Sequence, residues 1–194
     1  MKSCFKLLTV ALLTLCMVSF SCSKEDNLSP DTKPDRSTST WVFASQGYTK
    51  GGKGASSQDN PGGIKDGDYI AVAVSTSGDG GDYGKFSGST IIYSFRNGLG
   101  AGTYKITSEA EMVSPENTEK LIEVRCVIGT AVTTGSSLYI SNEHSGGEAE
   151  ISIDKEGKYH MTITEPTTLF KAVEVGGGVK GAEDKYSLTA KNIF

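Results

Sequence analysis

Side chains that could act as a catalytic base are scarce in this chain. The only two histidines are His144 and His160, and no Gly-x-Ser-x-Gly sequence marks an exposed serine nucleophile. Nucleophilic catalysis needs an activated side chain beside a base. His144 is expected to be a solvated turn residue, and His160 to point outward and pair weakly with Glu148 and Glu150. The sequence therefore predicts no catalytic residues and a protein that is not an enzyme.

Metal ligation is not indicated either. Structural zinc needs several closely spaced nitrogen or sulfur ligands, and neither His-x-x-x-His nor Cys-x-x-Cys occurs. Calcium takes oxygen ligands, and these cluster at Asp59, Asn60, Asp66, Asp68, Asp79 and Asp82. Their spacing is not that of an EF-hand, and aspartate beside glycine is ordinary turn chemistry. We predict no metal site, with calcium in this segment as the alternative.

Carbohydrate recognition would use aromatic rings stacked on sugar rings, with hydrogen bonds to the hydroxyl groups. The aromatic candidates near predicted loops are Trp41, Tyr48, Tyr83 and Phe86. Trp41 opens a strand, so the hydrophobic core is the expected place for it and the ligand surface is the alternative. Tyr48 and Tyr83 lie among glycines, with few residues to bury them. The sequence thus indicates a ligand-binding surface of Tyr48, Tyr83 and Trp41.

The charge balance excludes one class of partner. The 194 residues include 19 Lys and Arg against 23 Asp and Glu, which gives a formal net charge of −4. Affinity for nucleic acid is supplied mainly by clustered basic side chains. No DNA or RNA partner is therefore expected.

The amino terminus places one cysteine in a setting for covalent modification. Residues 1–6 carry two lysines and no acid, and residues 7–18 are mostly apolar. This run is too short for the roughly 20 residues that span a bilayer, but it has the length of a signal-peptide core. It leads to Ser19-Phe20-Ser21-Cys22, where a small residue precedes a thiol that can form a thioether.

These four residues resemble the lipobox of bacterial lipoproteins. In that family the signal peptide is removed in front of the cysteine, which then carries diacylglycerol and an acyl chain. The resemblance implies a signal peptide at residues 1–21, lipid attachment at Cys22 and the membrane as a partner through that lipid. No other cofactor is expected. The alternative is an ordinary secretory signal cut near Ser21, with Cys22 left free.

The residues after Cys22 predict a tether. Ser-Lys-Glu-Asp at 23–26 resembles the acidic export tag of lipoproteins in Bacteroidota-type bacteria, which implies the outer membrane and its cell surface, with a periplasmic orientation as the alternative. Residues 24–40 contain one large apolar residue, Leu28, and two prolines. Such a segment buries too little apolar surface to offset the entropy of ordering it. We therefore expect a flexible tether at 22–40 and a single domain at 41–194.

The domain has the pattern of β structure. Apolar and polar residues alternate at 148–154 and 158–164, and Asp154 and Gly157 between them suit a type I turn with a glycine bulge. A helical turn fits only residues 108–120. Cys126 falls on the apolar face of its strand, so a buried thiol is expected. Further strands are predicted at residues 41–48, 69–75, 89–96, 103–107, 121–133, 137–141, 169–175 and 185–193.

These strands predict an all-β fold, an antiparallel β-sandwich, with a lipocalin-like β-barrel as the alternative. Residues 101–106, 147–153 and 186–192 resemble segments of the small β-sandwich lipoproteins of unknown function that are common in Bacteroidota. That resemblance implies the sandwich and carries over no catalytic residue.

Two long polar stretches, residues 46–66 and 75–88, are predicted loops. If the first three predicted strands are antiparallel neighbours, these loops emerge at opposite ends of the sheet. The turn at 97–102 would then share an end with the first loop, and that end is the preferred binding edge.

Taken together, the residues predict a lipid-anchored lipoprotein of the cell envelope whose β domain is a binding or structural module. Its expected partner is an extracellular glycan or a protein. The alternative is a small surface hydrolase acting on glycosides, because two catalytic carboxylates need only meet in space.

Overall fold

The structure is a computed structural model that describes residues 40–50, 56–59, 69–76, 88–130 and 135–193, with the backbone alone at 56–59, 69–76 and 130. The described residues form eleven strands, a short helix α1 (Glu109–Met112) and a 3₁₀ turn (Asn97–Leu99). The all-β prediction is confirmed. The strands are β1 (Thr40–Phe43), β2 (Gln46–Thr49), β3 (Ser56–Asp59), β4 (Tyr69–Thr76), β5 (Ser89–Arg96), β6 (Gly102–Ile106), β7 (Leu121–Thr130), β8 (Gly135–Ile140), β9 (Glu148–Ile153), β10 (Tyr159–Val175) and β11 (Lys185–Ile193).

The hairpin predicted around residues 154–157 is confirmed. It joins β9 to β10, and Gly157 has the positive φ of 78° that a glycine bulge requires. Oδ1 of Asp154 accepts hydrogen bonds from the backbone N–H groups of Glu156 and Lys158, at 3.0 and 2.7 Å. Local turn chemistry was therefore sufficient to place this hairpin.

The single strand predicted at residues 41–48 is wrong, because the chain reverses there to form the hairpin of β1 and β2. The turn residues Ala44 and Ser45 have φ values of 51° and 62°. Positive φ at both central positions is the mark of a type I′ turn, which asparagine and glycine usually occupy. Alanine and serine gave no sign of such a turn.

Replacing Ala44 by Asn and Ser45 by Gly is expected to stabilise the protein by about 1 to 2 kcal/mol. Left-handed backbone costs an ordinary residue roughly 1 kcal/mol, and asparagine and glycine avoid most of that cost. Denaturant unfolding of the double variant measures the gain. The matched control is Lys155→Asn with Glu156→Gly, in a turn where neither residue has positive φ. An equal gain in the control would contradict the account.

The predicted arrangement of the first strands and loops is also wrong. The stretch 46–66 contains β2 and β3, and β3 pairs with β4. β1 pairs with β2 and β11, so the first predicted strand is not a neighbour of the second, although the second and third, β4 and β5, are antiparallel neighbours as expected. The binding edge inferred from their adjacency therefore loses its basis.

The eleven strands belong to one curved sheet, and ten of them follow the order β2-β1-β11-β10-β9-β6-β7-β5-β4-β3. Distant strands of this order meet across the interior. Tyr93 on β5 donates a hydrogen bond to the carbonyl of Ile193 on β11 (3.2 Å), and the indole of Trp41 on β1 donates to Ser89 on β5 (2.9 Å). A sandwich would have two separate sheets that face each other, whereas here the strands that face each other across the core belong to the same sheet.

Strand β8 lies in a split of this sheet, paired with β7 on one side and with the carboxyl half of β10 on the other. The end of β8 is filled by buried hydroxyl groups. Ser141 accepts from the N–H of Val124 (2.9 Å) and donates to the carbonyl of Thr107 (2.5 Å), and Thr167 donates to the carbonyl of Gly146 (2.6 Å). These bonds satisfy backbone groups that the divergence of the strands leaves without ladder partners.

Candidate functional site

The outward face of five adjacent strands, β6, β9, β10, β11 and β1, carries a groove, which we call the outer groove. It consists of two adjoining depressions of about 440 and 330 Å³. The first is lined by Thr103, Glu148, Glu150 and Glu165, the second by Thr40, Val42, Thr189 and Lys191, and both by Thr162 and Thr164.

Strand alternation explains why these side chains face solvent. Met161 and Ile163 on β10 are buried in the core, so Thr162 and Thr164 point to the opposite face. The same alternation turns Thr189 and Lys191 of β11 outward beside buried Leu188 and Ala190.

The strand register aligns one polar residue from each of six strands into a row across the sheet. Thr103 lies opposite Glu150, Glu150 opposite Thr162, and Lys191 opposite Thr40, which in turn lies opposite Thr49. The backbone N–H of Asn192 donates to Oγ1 of Thr162 (3.1 Å) and joins the two halves. We call this set the polar row: Thr103, Glu150, Thr162, Lys191, Thr40 and Thr49.

A bulge in β10 shapes the middle of the groove. Ile163 pairs with Ala190 but Thr167 pairs with Leu188, so β10 has two extra residues over this interval. Residues 164–166 are exposed as a result. Bulges bend a strand and re-aim its side chains, and they occur often beside functional sites. Here the bulge exposes the side chains of Thr164 and Glu165 close to the place where the two depressions meet.

The outer groove is acidic at one end and basic at the other. Glu148 and Glu150 on β9 and Glu165 on β10 line one depression, where Thr103 donates a hydrogen bond to Oε2 of Glu150 (2.8 Å). Lys191 lies at the end formed by β11 and β1. The lining can therefore accept hydrogen bonds along its whole length and favours positive charge at the glutamate end.

The aromatic surface predicted from sequence is not formed by Trp41 and Tyr48. Tyr48 is 7% exposed and stacks on Trp41, with ring centroids 5.6 Å apart. The β1–β2 hairpin places the two rings opposite each other on the inward face, so the expected exposure of Tyr48 is wrong and Trp41 belongs to the core. Tyr83 and Phe86 lie outside the described residues. Among the residues whose side chains the structure describes, Tyr159, Phe170 and Tyr186 are partly exposed and every other Trp, Tyr and Phe is buried.

One of the two histidine expectations is confirmed. The side chain of His144 is 77% exposed in a turn, as predicted. Nε2 of His160 lies 3.0 Å from Oδ2 of Asp154. The register places His160 opposite Ser152, so the predicted cross-strand pair with Glu148 and Glu150 is wrong. The turn carries Asp154 back toward the strand that follows it, and the hydrogen bond from His160 lowers the pKa of this carboxyl.

Cys126 is a buried thiol, as predicted. It is fully buried beside Ser89, with 3.4 Å between Sγ and Oγ, and burial raises the pKa of the thiol to about 12. A thiol in such a setting is chemically inert at neutral pH. The lipid-attachment candidate Cys22 and the predicted signal peptide lie outside the described residues.

Sequence reasoning missed a buried ion pair under α1. Glu123 on β7 is 2% exposed, and its Oε1 accepts a hydrogen bond from Nε of Arg125 at 2.5 Å. Arg125 also contacts Oε2 of Glu109 on α1, at 2.8 Å. Burial raises the pKa of Glu123, while Arg125 opposes that shift. The arrangement fastens α1 to the sheet, because one guanidinium bridges a carboxylate of each.

Metal and membrane signals were also sought in the described ranges. These residues contain no group of three or more His, Cys, Asp or Glu that could hold a metal ion. The aspartates considered for calcium lie outside the description, except for the backbone of Asp59. Within the same ranges, no helix has the length and apolar character needed to cross a membrane.

Comparisons with protein-family models, with curated proteins and with solved structures yield no match.

Proposed function

We propose that this chain is a lipid-anchored lipoprotein of the cell envelope whose β domain binds an extracellular glycan in the outer groove. The observation that carries the binding proposal is the groove itself, two depressions that share Thr162 and Thr164 and have hydrogen-bonding side chains on adjacent strands. The lipobox resemblance at Cys22 supports the anchor.

The lining of the groove suits a ligand rich in hydroxyl groups. Threonine hydroxyls both donate and accept hydrogen bonds, and ionised glutamates accept them. Val42, which is 47% exposed in the same groove, offers an apolar contact for the C–H groups of a sugar ring. A few polar groups around an apolar contact is the usual composition of a small-ligand site.

A double variant, Thr164→Val with Thr189→Val, should lower affinity for the bound glycan about ten-fold or more. Each hydroxyl that hydrogen-bonds to the ligand contributes roughly 0.5 to 1.5 kcal/mol, and about 1.4 kcal/mol is a factor of ten. Affinity electrophoresis of the full chain in gels that contain soluble neutral polysaccharides measures the effect.

The matched control is Thr118→Val, at an exposed position away from the groove. Threonine is common on the outward faces of strands simply because it is β-branched. If the double variant and the wild type migrate equally in glycan-containing gels, the groove threonines do not bind the glycan, and strand propensity alone explains their presence.

The anchored protein is placed on the cell surface in this proposal. Protease added to intact cells should then remove most of the domain, whereas a periplasmic marker protein in the same cells should survive. Immunoblotting of the treated cells reads out both. If the domain resists the protease as well as the marker does, the protein faces the periplasm.

A surface hydrolase acting on glycosides is the second candidate, because three glutamates line the same depression. Retaining and inverting enzymes both need two carboxylates across the scissile bond. New reducing ends that appear with wild-type protein and disappear with Glu150→Gln would establish hydrolysis. Binding without such products supports the module.

A further inference from the structure

The outer groove is longer across the strands than along them. The polar row includes a residue from each of β6, β9, β10, β11, β1 and β2. Adjacent strands lie about 4.8 Å apart, so the five strands of the groove extend roughly 19 Å, and the polar row, which adds Thr49 on β2, extends roughly 24 Å. Along each strand the lining covers only two outward positions, such as Thr162 and Thr164, or roughly 7 Å. A site with these dimensions fits a ligand made of several linked sugar rings better than a single ring.

The charge of the lining restricts which kind of glycan can bind in the groove. One depression is lined by three carboxylates, those of Glu148 and Glu150 on β9 and Glu165 on β10, and the other by one ammonium, that of Lys191 on β11. Carboxylate or sulfate groups repeated along a ligand would meet like charge at the glutamate end, which is destabilising. Hydroxyl groups are accepted along the whole groove, and amines are favoured at the glutamate end.

We infer that the ligand of the outer groove is a linear glycan, neutral or amine-bearing, that lies across the strands and contacts several residues of the polar row at once. This inference rests on the proposed glycan-binding function and specifies the ligand class. It also gives Thr49 a role: on β2, just beyond the two depressions, it would contact only those chains that are long enough to reach it.

The length dependence of affinity tests the inference on the full-length protein in detergent. The probes are linear oligosaccharides of glucose, galactose, mannose and glucosamine, from the monosaccharide to the octasaccharide, measured by calorimetry. For at least one of these series, affinity should rise with each added sugar until the chain covers roughly 24 Å and should then level off. The corresponding oligouronates should bind at least ten-fold more weakly.

Thr49→Val separates the long ligands from the short ones. It should weaken the longest oligosaccharides about two- to ten-fold, the effect of one lost hydrogen bond, and leave trisaccharides unchanged. Thr118→Val is the control for both. A monosaccharide that binds as tightly as the octasaccharide, or an oligouronate that binds equally well, would overturn the inference while glycan binding itself stands. Absence of binding in all four series would overturn the proposed function as well.

Discussion

A Cys22→Ala variant should carry no acyl label and should be lost from the outer-membrane fraction. The lipobox resemblance implies that diacylglycerol is attached to this thiol, and the proposed function rests on that attachment. Each methylene of an acyl chain that is buried in the bilayer contributes about 0.8 kcal/mol, and stable anchoring needs more than one chain. Removing the attachment atom should therefore abolish the association. Labelling with radioactive palmitate, followed by membrane fractionation, measures both effects.

The matched control is Cys126→Ala. Cys126 is buried in the domain and is inert, so this variant should keep both the label and the membrane association. If the Cys22→Ala protein still incorporates label or remains in the outer membrane, the anchor is not at Cys22.

A Gly135→Ala variant should lose more than about 3 kcal/mol of stability, a loss typical of severe core damage. Gly135 opens β8 with φ 72°, a region that costs alanine roughly 1 kcal/mol. A methyl group there would also overlap the carbonyl oxygen of Gly178 and lie 3.0 Å from that of Gly176. The loop that holds these glycines would have to move away from β8.

The expected damage is large because that loop closes one end of the core. Val179, three residues after Gly176, is 3% exposed, belongs to the core and donates its N–H to Oγ of Ser137 at 3.0 Å. The control is Gly157→Ala, where φ is 78° but the added methyl group would have no neighbour within 4 Å. That variant should lose only about 1 kcal/mol. Equal midpoints in urea unfolding for the two variants would contradict the steric account.

The parts of the fold that sequence could predict are those set by local signals. The turn at residues 154–157 depends on one aspartate and one glycine three residues apart, and the bounds of β5 and β11 follow from runs of strand-forming residues. The turn at Ala44 and Ser45 was missed because its left-handed conformation is imposed by the packing of Trp41 against Tyr48, not by the turn residues themselves.

The candidate site could not be predicted because its residues are close only in the folded sheet. Thr40, Thr103, Glu150 and Thr189 lie on four strands that are distant in sequence and become neighbours through the strand order. The aromatic candidates were chosen for their surroundings in the sequence, and the hairpin then turned Tyr48 inward. One sequence pattern does point to the site. The polar residues that alternate with apolar ones at 148–154 and 158–164 include Glu148, Glu150, Thr162 and Thr164, which line the groove.

The most direct test of the central claim, that the outer groove binds a glycan, is a glycan array probed with the full-length protein in detergent. The account predicts binding to linear neutral or amine-bearing glycans, with signals that fall about ten-fold or more in the Thr164→Val and Thr189→Val double variant and persist in Thr118→Val. An array without binding, or binding that the double variant leaves unchanged, would contradict it.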